Sequence, residues 1–147
     1  MNSSKIELLD ETQCEDLESE LVERIYEFNA EATGCFDGKL LGGCVRNADG
    51  ELIAGFNGHT WAGTCVLTNV WVAQAYRGQG HGRALLETAE AEALRRSCTQ
   101  VILGTHSFQS PGFYEGMGYQ RVVSIADWPQ GHSEIVMRKL LSTETGA

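Results

Sequence analysis

Apolar and acidic positions alternate near the start of the chain at the spacing of an amphipathic helix. The apolar face comprises Leu17, Leu21, Ile25, Phe28 and Ala32. The opposite face carries Glu20, Glu23, Glu27 and Glu31. Thr12 and Glu15 predict a capping box at the start of this helix, and Gly34 predicts its end. Residues 5–9 predict a short strand before it.

Shorter apolar runs separated by turn residues follow this helix. Residues 40–46 and 52–57 flank an Asn-Ala-Asp-Gly turn and predict a hairpin. Residues 58–63 are predicted to form another turn, and the almost continuously apolar residues 64–72 predict a further strand.

The second half of the chain alternates between helical and strand patterns. Helices are predicted over residues 82–97 and from Ser110-Pro111 to Gly118. Strands are predicted over residues 100–105, 119–125 and 134–140. The element order is therefore β-α-β-β-β-α-β-α-β-β, which predicts a mixed α/β sheet with a central βαβ unit.

The length and the net charge of the chain limit the possible domain organisation and partners. The 147 residues predict a single domain, 1–147, with a frayed polar tail from residue 142. Against 11 Lys and Arg stand 20 Asp and Glu, and this net charge of −9 argues against nucleic acid and anionic membranes as partners. Residues 1–37 hold 11 acidic and 2 basic residues, whereas the remainder is electrically balanced.

Cysteine and histidine usage predicts neither disulfides nor a metal site. The five cysteines are odd in number, widely spaced and without a Cys-x-x-Cys pair, a pattern typical of reduced thiols in the cytoplasm. The four histidines show no metal-ligand spacing. We also expect no secretory signal, because the start of the chain lacks a basic segment followed by an apolar one.

The loop at residues 77–82, Arg-Gly-Gln-Gly-His-Gly, joins the strand and helix of the predicted βαβ unit. Alternate glycines leave backbone amides uncovered at a helix N-terminus, which predicts either an anion site or a plain strand-to-helix turn. A dinucleotide fingerprint would need glycine where Arg83 stands, and the Gly-Lys-Ser/Thr of a Walker loop is absent.

The loop fits a different pattern, Arg-x-x-Gly-x-Gly, at Arg77, Gly80 and Gly82. With it, the sequence resembles the GNAT superfamily of N-acetyltransferases, which place this signature at the pyrophosphate of acetyl-coenzyme A. Residues 112–119, Gly-Phe-Tyr-Glu-Gly-Met-Gly-Tyr, are similar to a second segment of that family. The resemblance covers residues 67–103 and the order of elements along the chain.

The resemblance implies where acetyl-coenzyme A binds. Its pyrophosphate would be held by backbone amides of Gly78, Gln79, Gly80, His81, Gly82 and Arg83, with Arg77 beside them. The pantetheine arm would enter where the strands 64–72 and 100–106 splay apart, and would bond Val72 and Ala73. Ser107 and Gln109 stand near the position at which many relatives carry an asparagine that bonds this arm.

The resemblance also implies direct acetyl transfer to an amine, with Tyr114 as the general acid that protonates the departing thiolate. Many relatives carry a glutamate base on the strand before the loop, but residues 68–71 offer no carboxylate. The candidate bases are Glu27, Glu31, His59, Asp127, His132 and Glu134, of which Glu31 and His132 are favoured. A proton that leaves through water would need no base at all.

The leading interpretation is an acetyl-coenzyme A-dependent N-acetyltransferase, free of metal, acting on a small-molecule or peptide amine. The alternative is a non-catalytic module that binds coenzyme A. A homodimer is common in the family, although no sequence feature demands one. The acidic helix either attracts a cationic acceptor through Glu23, Glu27 and Glu31 or forms a solvated surface.

Overall fold

The computed structural model describes residues 4–142 and divides at Phe36 into two compact units. The first unit contains helix α1 (Glu11–Thr33). Asp10 caps its start, since the Asp10 carboxylate accepts from the Gln13 amide at 2.8 Å and the Gln13 side chain accepts from the Asp10 amide at 3.0 Å. Gly34, with φ of 74°, ends the helix as predicted.

Two predictions at the start of the chain are wrong. The capping box consists of Asp10 and Gln13 instead of Thr12 and Glu15, so the helix begins two residues earlier than predicted. Residues 5–9 form no strand and belong to none of the six strands of the sheet. A strand exists only as part of a ladder, and the alternating pattern of five residues does not supply a partner.

The second unit is a six-stranded mixed sheet with two α-helices. Its strands are β1 (Lys39–Arg46), β2 (Leu52–Trp61), β3 (Thr64–Val72), β4 (Gln100–His106), β5 (Gln120–Ala126) and β6 (Ser133–Leu140). Helix α2 (His81–Arg95) connects β3 to β4, and helix α3 (Pro111–Gly116) follows β4. The spatial order is β1-β2-β3-β4-β6-β5, and only the β3–β4 pair is parallel. The predicted mixed α/β sheet with a central βαβ unit is confirmed.

The core of this unit lies between α2, α3 and the central strands. Leu86, Ala89 and Ala93 of α2 are fully buried, as is Val101 of β4. Their burial against the alternate residues of β3 and β4 fixes α2 on one face of the sheet, which sets the position of the loop that precedes it.

Most element boundaries agree with the predictions within two residues, but β2 continues through the predicted turn at 58–63. A bulge between Asn57 and Gly58 shifts the register there. Glycine is required at 58, because a Cβ would overlap the Val66 carbonyl. The turn is confined to Ala62 and Gly63, which both have positive φ.

The single domain predicted for 1–147 stays a prediction. The predicted frayed tail falls, apart from Ser142, outside the described residues. Among residues 4–142, no helix combines the length and the hydropathy that crossing a membrane requires.

Candidate active site

The parallel strands β3 and β4 separate halfway along their length. They pair from Thr64 with Gln100 to Leu67 with Leu103, and no further. Residues 68–72 of β3 and 104–106 of β4 then continue without pairing to each other. The predicted splay is therefore confirmed, and it leaves an opening in the middle of the sheet.

The glycine loop begins where β3 ends and leads through a 3₁₀ turn (Gln74–Tyr76) into α2. Gly78 and Gly80 have φ of 74° and 86°, a conformation that side chains disfavour. Within the described part of the chain, the backbone amides of residues 78–83 donate to no other residue. Six unpaired donors at the N-terminus of a 15-residue helix are an arrangement suited to an anion.

At Gly82, the neighbouring Phe113 ring limits the space for a side chain. A Cβ at this position would lie 3.2 Å from the ζ carbon of the Phe113 ring. The α3 helix therefore contacts the glycine loop directly. The two motifs of the sequence, one in the loop and one in α3, are therefore in contact.

Three polar side chains of the loop, those of Arg77, Gln79 and Arg83, form hydrogen bonds with other residues of the chain. Arg77 donates from Nε to the Val72 carbonyl at 3.1 Å and ties the loop to the end of β3. Gln79 donates to the Ala75 carbonyl at 3.3 Å. Arg83 forms an exposed pair with Glu87 at 2.9 Å, which contributes little to stability.

Ala73 is predicted to bond the pantetheine arm, but its backbone amide and carbonyl both form hydrogen bonds within the protein. Its amide donates to the Ile53 carbonyl at 2.8 Å, and its carbonyl accepts from the Tyr76 amide at 2.9 Å. The neighbouring Val72 pairs with Ala54 of β2. These bonds fix the end of β3 against β2, on the side away from β4.

Ser107 and Gln109 organise the segment after β4. The Ser107 hydroxyl accepts from the Ser133 amide at 3.1 Å and so joins this segment to the start of β6. The Gln109 side-chain oxygen accepts from the His106 amide at 2.8 Å and from the Thr105 hydroxyl at 3.3 Å. Both side chains hold the wall of the opening in place.

Tyr114 lies in α3 next to Phe113, the ring that contacts the loop. Its side chain is 8% exposed, and its ring lies 5.9 Å from that of Tyr119. Burial raises the pKa of the Tyr114 hydroxyl, which is therefore protonated and able to donate at neutral pH.

Comparisons with known proteins agree with this geometry. The model of the acetyltransferase (GNAT) family matches residues 6–119, which include the loop, the splayed strands and α3. The chain belongs to the GNAT family of acetyltransferases. It is an acyltransferase, as the sequence predicted.

Relatives of this GNAT enzyme share both sequence and structure with it. The chain is 37% identical over 93 residues to a blasticidin-S acetyltransferase from Streptomyces morookaense, covering 63% of this chain and 68% of the relative. A crystal structure of an acetyltransferase from Bacillus cereus is 25% identical, with a TM-score of 0.75, over 96% of this chain and 100% of that one. An aminoglycoside 6′-N-acetyltransferase complexed with coenzyme A shares the fold, with 17% identity and a TM-score of 0.63 over 73% and 76% of the two chains.

The two base candidates favoured from the sequence lie in different surroundings. His132 of this GNAT enzyme is exposed, and its ring contacts Phe108 edge-to-face at 4.9 Å. Glu31 lies on α1, in the first unit, and is exposed. Asn69, on the strand where a carboxylate is missing, donates to the Asn57 side chain at 3.0 Å.

A contact between a histidine and a carboxylate at the end of β4 was not predicted. His106 Nδ1 lies 2.7 Å from Glu134 Oε2 of β6, with the two side chains 27% and 15% exposed. Direct pairing of His106 with Glu134 in the antiparallel β4–β6 ladder brings them together. The available signal was a histidine at the end of β4 and a glutamate near the start of β6, which does not reveal the register.

Proposed function

We propose that the protein transfers the acetyl group of acetyl-coenzyme A directly to a primary amine. The observation that carries the proposal is the set of unpaired amides of residues 78–83, at the N-terminus of α2 and beside the splay of β3 and β4. When these amides hold the anionic group of a long cosubstrate, the rest of that cosubstrate lies at the opening between β3 and β4.

The residues present fit acetyl-coenzyme A. The loop amides and the positive end of the α2 dipole suit a pyrophosphate, and the opening beyond Leu67 suits a thin, extended arm. The occupied backbone groups of Ala73 argue against a bond from its amide to that arm. The structure of an aminoglycoside acetyltransferase with coenzyme A, which shares the fold, supports the same cosubstrate.

Tyr114 is proposed to protonate the departing thiolate. It lies in the helix that contacts the glycine loop, and its hydroxyl stays protonated because burial raises its pKa. A positioned acid at the leaving group contributes about 10²–10⁴-fold in rate. Ser107 and Gln109 are proposed to shape the opening from the β4 side instead of bonding the arm through their side chains.

The proposed acceptor is a small cationic amine. The net charge of −9, concentrated on residues 1–37, favours a cation over an anion as the diffusing partner. Blasticidin S and aminoglycosides, after which two relatives are named, are therefore suitable probe amines. A peptide amine and a homodimeric assembly stay predictions of the resemblance.

The test is release of free coenzyme A thiol from acetyl-coenzyme A in the presence of a panel of amines. The panel contains blasticidin S, an aminoglycoside, spermidine and a peptide with a free N-terminus. We expect amine-dependent release with at least one member and an acetylated product by mass spectrometry. Tight binding of acetyl-coenzyme A without release for any amine would contradict the proposal and indicate a non-catalytic module.

Direct transfer is tested by the kinetic pattern. Cys65 and Cys98 are buried, and desolvation raises the pKa of the Cys65 thiol to about 11, so neither is suited to act as a nucleophile. We expect intersecting initial-velocity lines and no acetylated protein after incubation with acetyl-coenzyme A alone. Parallel lines together with an acetyl-cysteine would contradict direct transfer.

A further inference from the structure

The geometry at the end of β4 points to a proton acceptor for the amine. We propose that His106 Nε2 takes a proton from the bound acceptor and that Glu134 is the positioning residue that holds the imidazole for this task. The inference rests on the proposed function, because it assigns the base that residues 68–71 of the preceding strand do not provide.

Hydrogen bonding fixes the tautomer of His106. Its Nδ1 lies 2.7 Å from the Glu134 carboxylate and 3.2 Å from the Trp128 carbonyl, and both of these groups only accept hydrogen bonds. Nδ1 must therefore carry the hydrogen. In the neutral ring, the lone pair is then on Nε2, which has no hydrogen-bond partner among the described residues.

Aromatic rings on two sides hold the imidazole in place. The Phe108 ring stacks on it, with 5.4 Å between centroids and 12° between planes, and the Trp128 ring meets it edge-on at 6.4 Å. Gly104 leaves the space for Glu134, because a Cβ at 104 would overlap the carboxylate oxygen. A residue without a side chain on β4 thus allows the carboxylate to reach the histidine.

The pair lies at the opening and faces away from α2. Leu103 and Thr105 are buried on the face of β4 that packs toward the core with α2. His106 follows them by strand alternation on the opposite face, past the last β3–β4 pair. A cosubstrate anchored at the α2 loop reaches the opening from one face, which leaves the other face, with His106, for the acceptor.

The proton balance of the step is complete. The ammonium nitrogen of the acceptor loses one proton to His106 Nε2, and its lone pair attacks the thioester carbonyl carbon. As the C–N bond forms and the C–S bond breaks, Tyr114 gives its proton to the sulfur and regains one from the nitrogen. The amide and the free thiol leave, and the imidazolium releases its proton to solvent.

Other ionisable groups near the ring do not have this arrangement. Glu134 is the charged group in contact with His106, and His132 lies beyond Phe108, whose ring it meets at 4.9 Å. Within the described residues, His132 has no carboxylate partner to fix its tautomer. The Asp127 carboxylate accepts from the Gly131 amide at 3.3 Å and supports the loop.

The first test needs no acceptor. Long-range ¹H–¹⁵N correlation spectra of ¹⁵N-histidine-labelled protein report the tautomer of each neutral imidazole, and His106→Gln assigns the signals. We expect His106 with a protonated Nδ1 and an unprotonated Nε2. An Nε2-protonated tautomer would overturn the proposal, whatever the result of the amine panel.

The second test is the pH profile of kcat/KM with the best amine of the panel. We expect His106→Gln to lower kcat/KM about 100-fold at pH 7 and Glu134→Gln about 10-fold. The wild-type profile should be flat in the range where His106 is neutral and the amine is still protonated. The His106→Gln profile should instead keep rising toward the pKa of the amine, so that the difference narrows by about tenfold per pH unit.

The outcomes separate a base from a structural residue. Glu51→Gln, in the β1–β2 turn, is the matched control and should leave the profile unchanged. A loss in His106→Gln that is equal at all pH values would overturn the assignment. A profile that keeps rising toward the pKa of the amine in His132→Gln, but not in His106→Gln, would also overturn it. Absence of turnover with every amine in the wild type would refute the proposed function, while the tautomer still tests the pair.

Discussion

At the scale of single residues, Tyr114 and Tyr119 form a natural comparison. Both side chains are buried, at 8% and 2% exposed, and their rings are in contact. The Tyr119 hydroxyl has no hydrogen-bond partner among the described residues, and burial raises the pKa of both phenols. Only Tyr114 lies in the helix whose Phe113 contacts the glycine loop.

Tyr114→Phe should therefore lower kcat about 100-fold, because it removes the proposed proton donor to the thiolate. The affinity for acetyl-coenzyme A, measured by calorimetry, should stay within about twofold, since the ring and its packing are kept. Tyr119→Phe is the matched control, with unchanged kcat and a stability equal to the wild type or about 1 kcal/mol higher. Equal loss of kcat in both variants would refute the role of Tyr114.

At the scale of elements, the glycine loop and α2 depend on the backbone at Gly80. This residue caps α2 with φ of 86°, although nothing lies within 4 Å of where its Cβ would be. Gly80→Ala should cost about 1–2 kcal/mol in the free energy of unfolding, because alanine disfavours this conformation. Relaxation of the strain should also turn the loop amides and weaken acetyl-coenzyme A binding about tenfold.

Gly116→Ala in α3 provides the control. Its Cβ would also meet no atom within 4 Å, but its φ is not positive. Urea denaturation should show a stability equal to the wild type or up to about 1 kcal/mol higher, with unchanged acetyl-coenzyme A affinity. If both variants lose binding to the same extent, the loop conformation at 80 is not the reason.

Local sequence patterns predicted the elements whose boundaries are determined by neighbouring residues. They missed the features that depend on pairing between strands that are distant in the sequence. The β3-loop-α2-β4 unit was predictable because each boundary is determined by neighbouring residues, such as the glycines at 78 and 80. The failure at residues 5–9 has another cause, since a strand needs a partner from elsewhere. The bulge at Gly58 and the meeting of His106 with Glu134 likewise depend on register, which a single sequence does not specify.

At the scale of the whole molecule, the excess negative charge and the buried weak acids lie in different parts of the sequence. The net charge of −9 arises from residues 1–37, whereas residues 38–147 are balanced. Near the core of the second unit, in contrast, lie acids that are neutral at pH 7, namely Cys65, Cys98, Tyr114 and Tyr119. Desolvation raises the pKa of each of them, so the folded state disfavours their ionisation.

This burial predicts that stability falls at alkaline pH. The Cys65 thiol ionises near pH 9.0 in the unfolded chain and near pH 11 in the folded protein, so between these values the unfolded chain binds fewer protons. The free energy of unfolding then decreases as pH rises, by about 1.4 kcal/mol for each unit of pKa difference. The tyrosines extend the same trend above pH 10.

Urea denaturation at pH 8, 9, 10 and 10.5 measures this decrease. Cys65→Ala should be less stable than the wild type at pH 8, because it removes a buried side chain, but its stability should fall less steeply with pH. Cys44→Ala, at an exposed thiol, should show the wild-type slope. Identical slopes in all three proteins would mean that Cys65 ionises equally in both states. That result would contradict the desolvation of Cys65 at its buried position in the core.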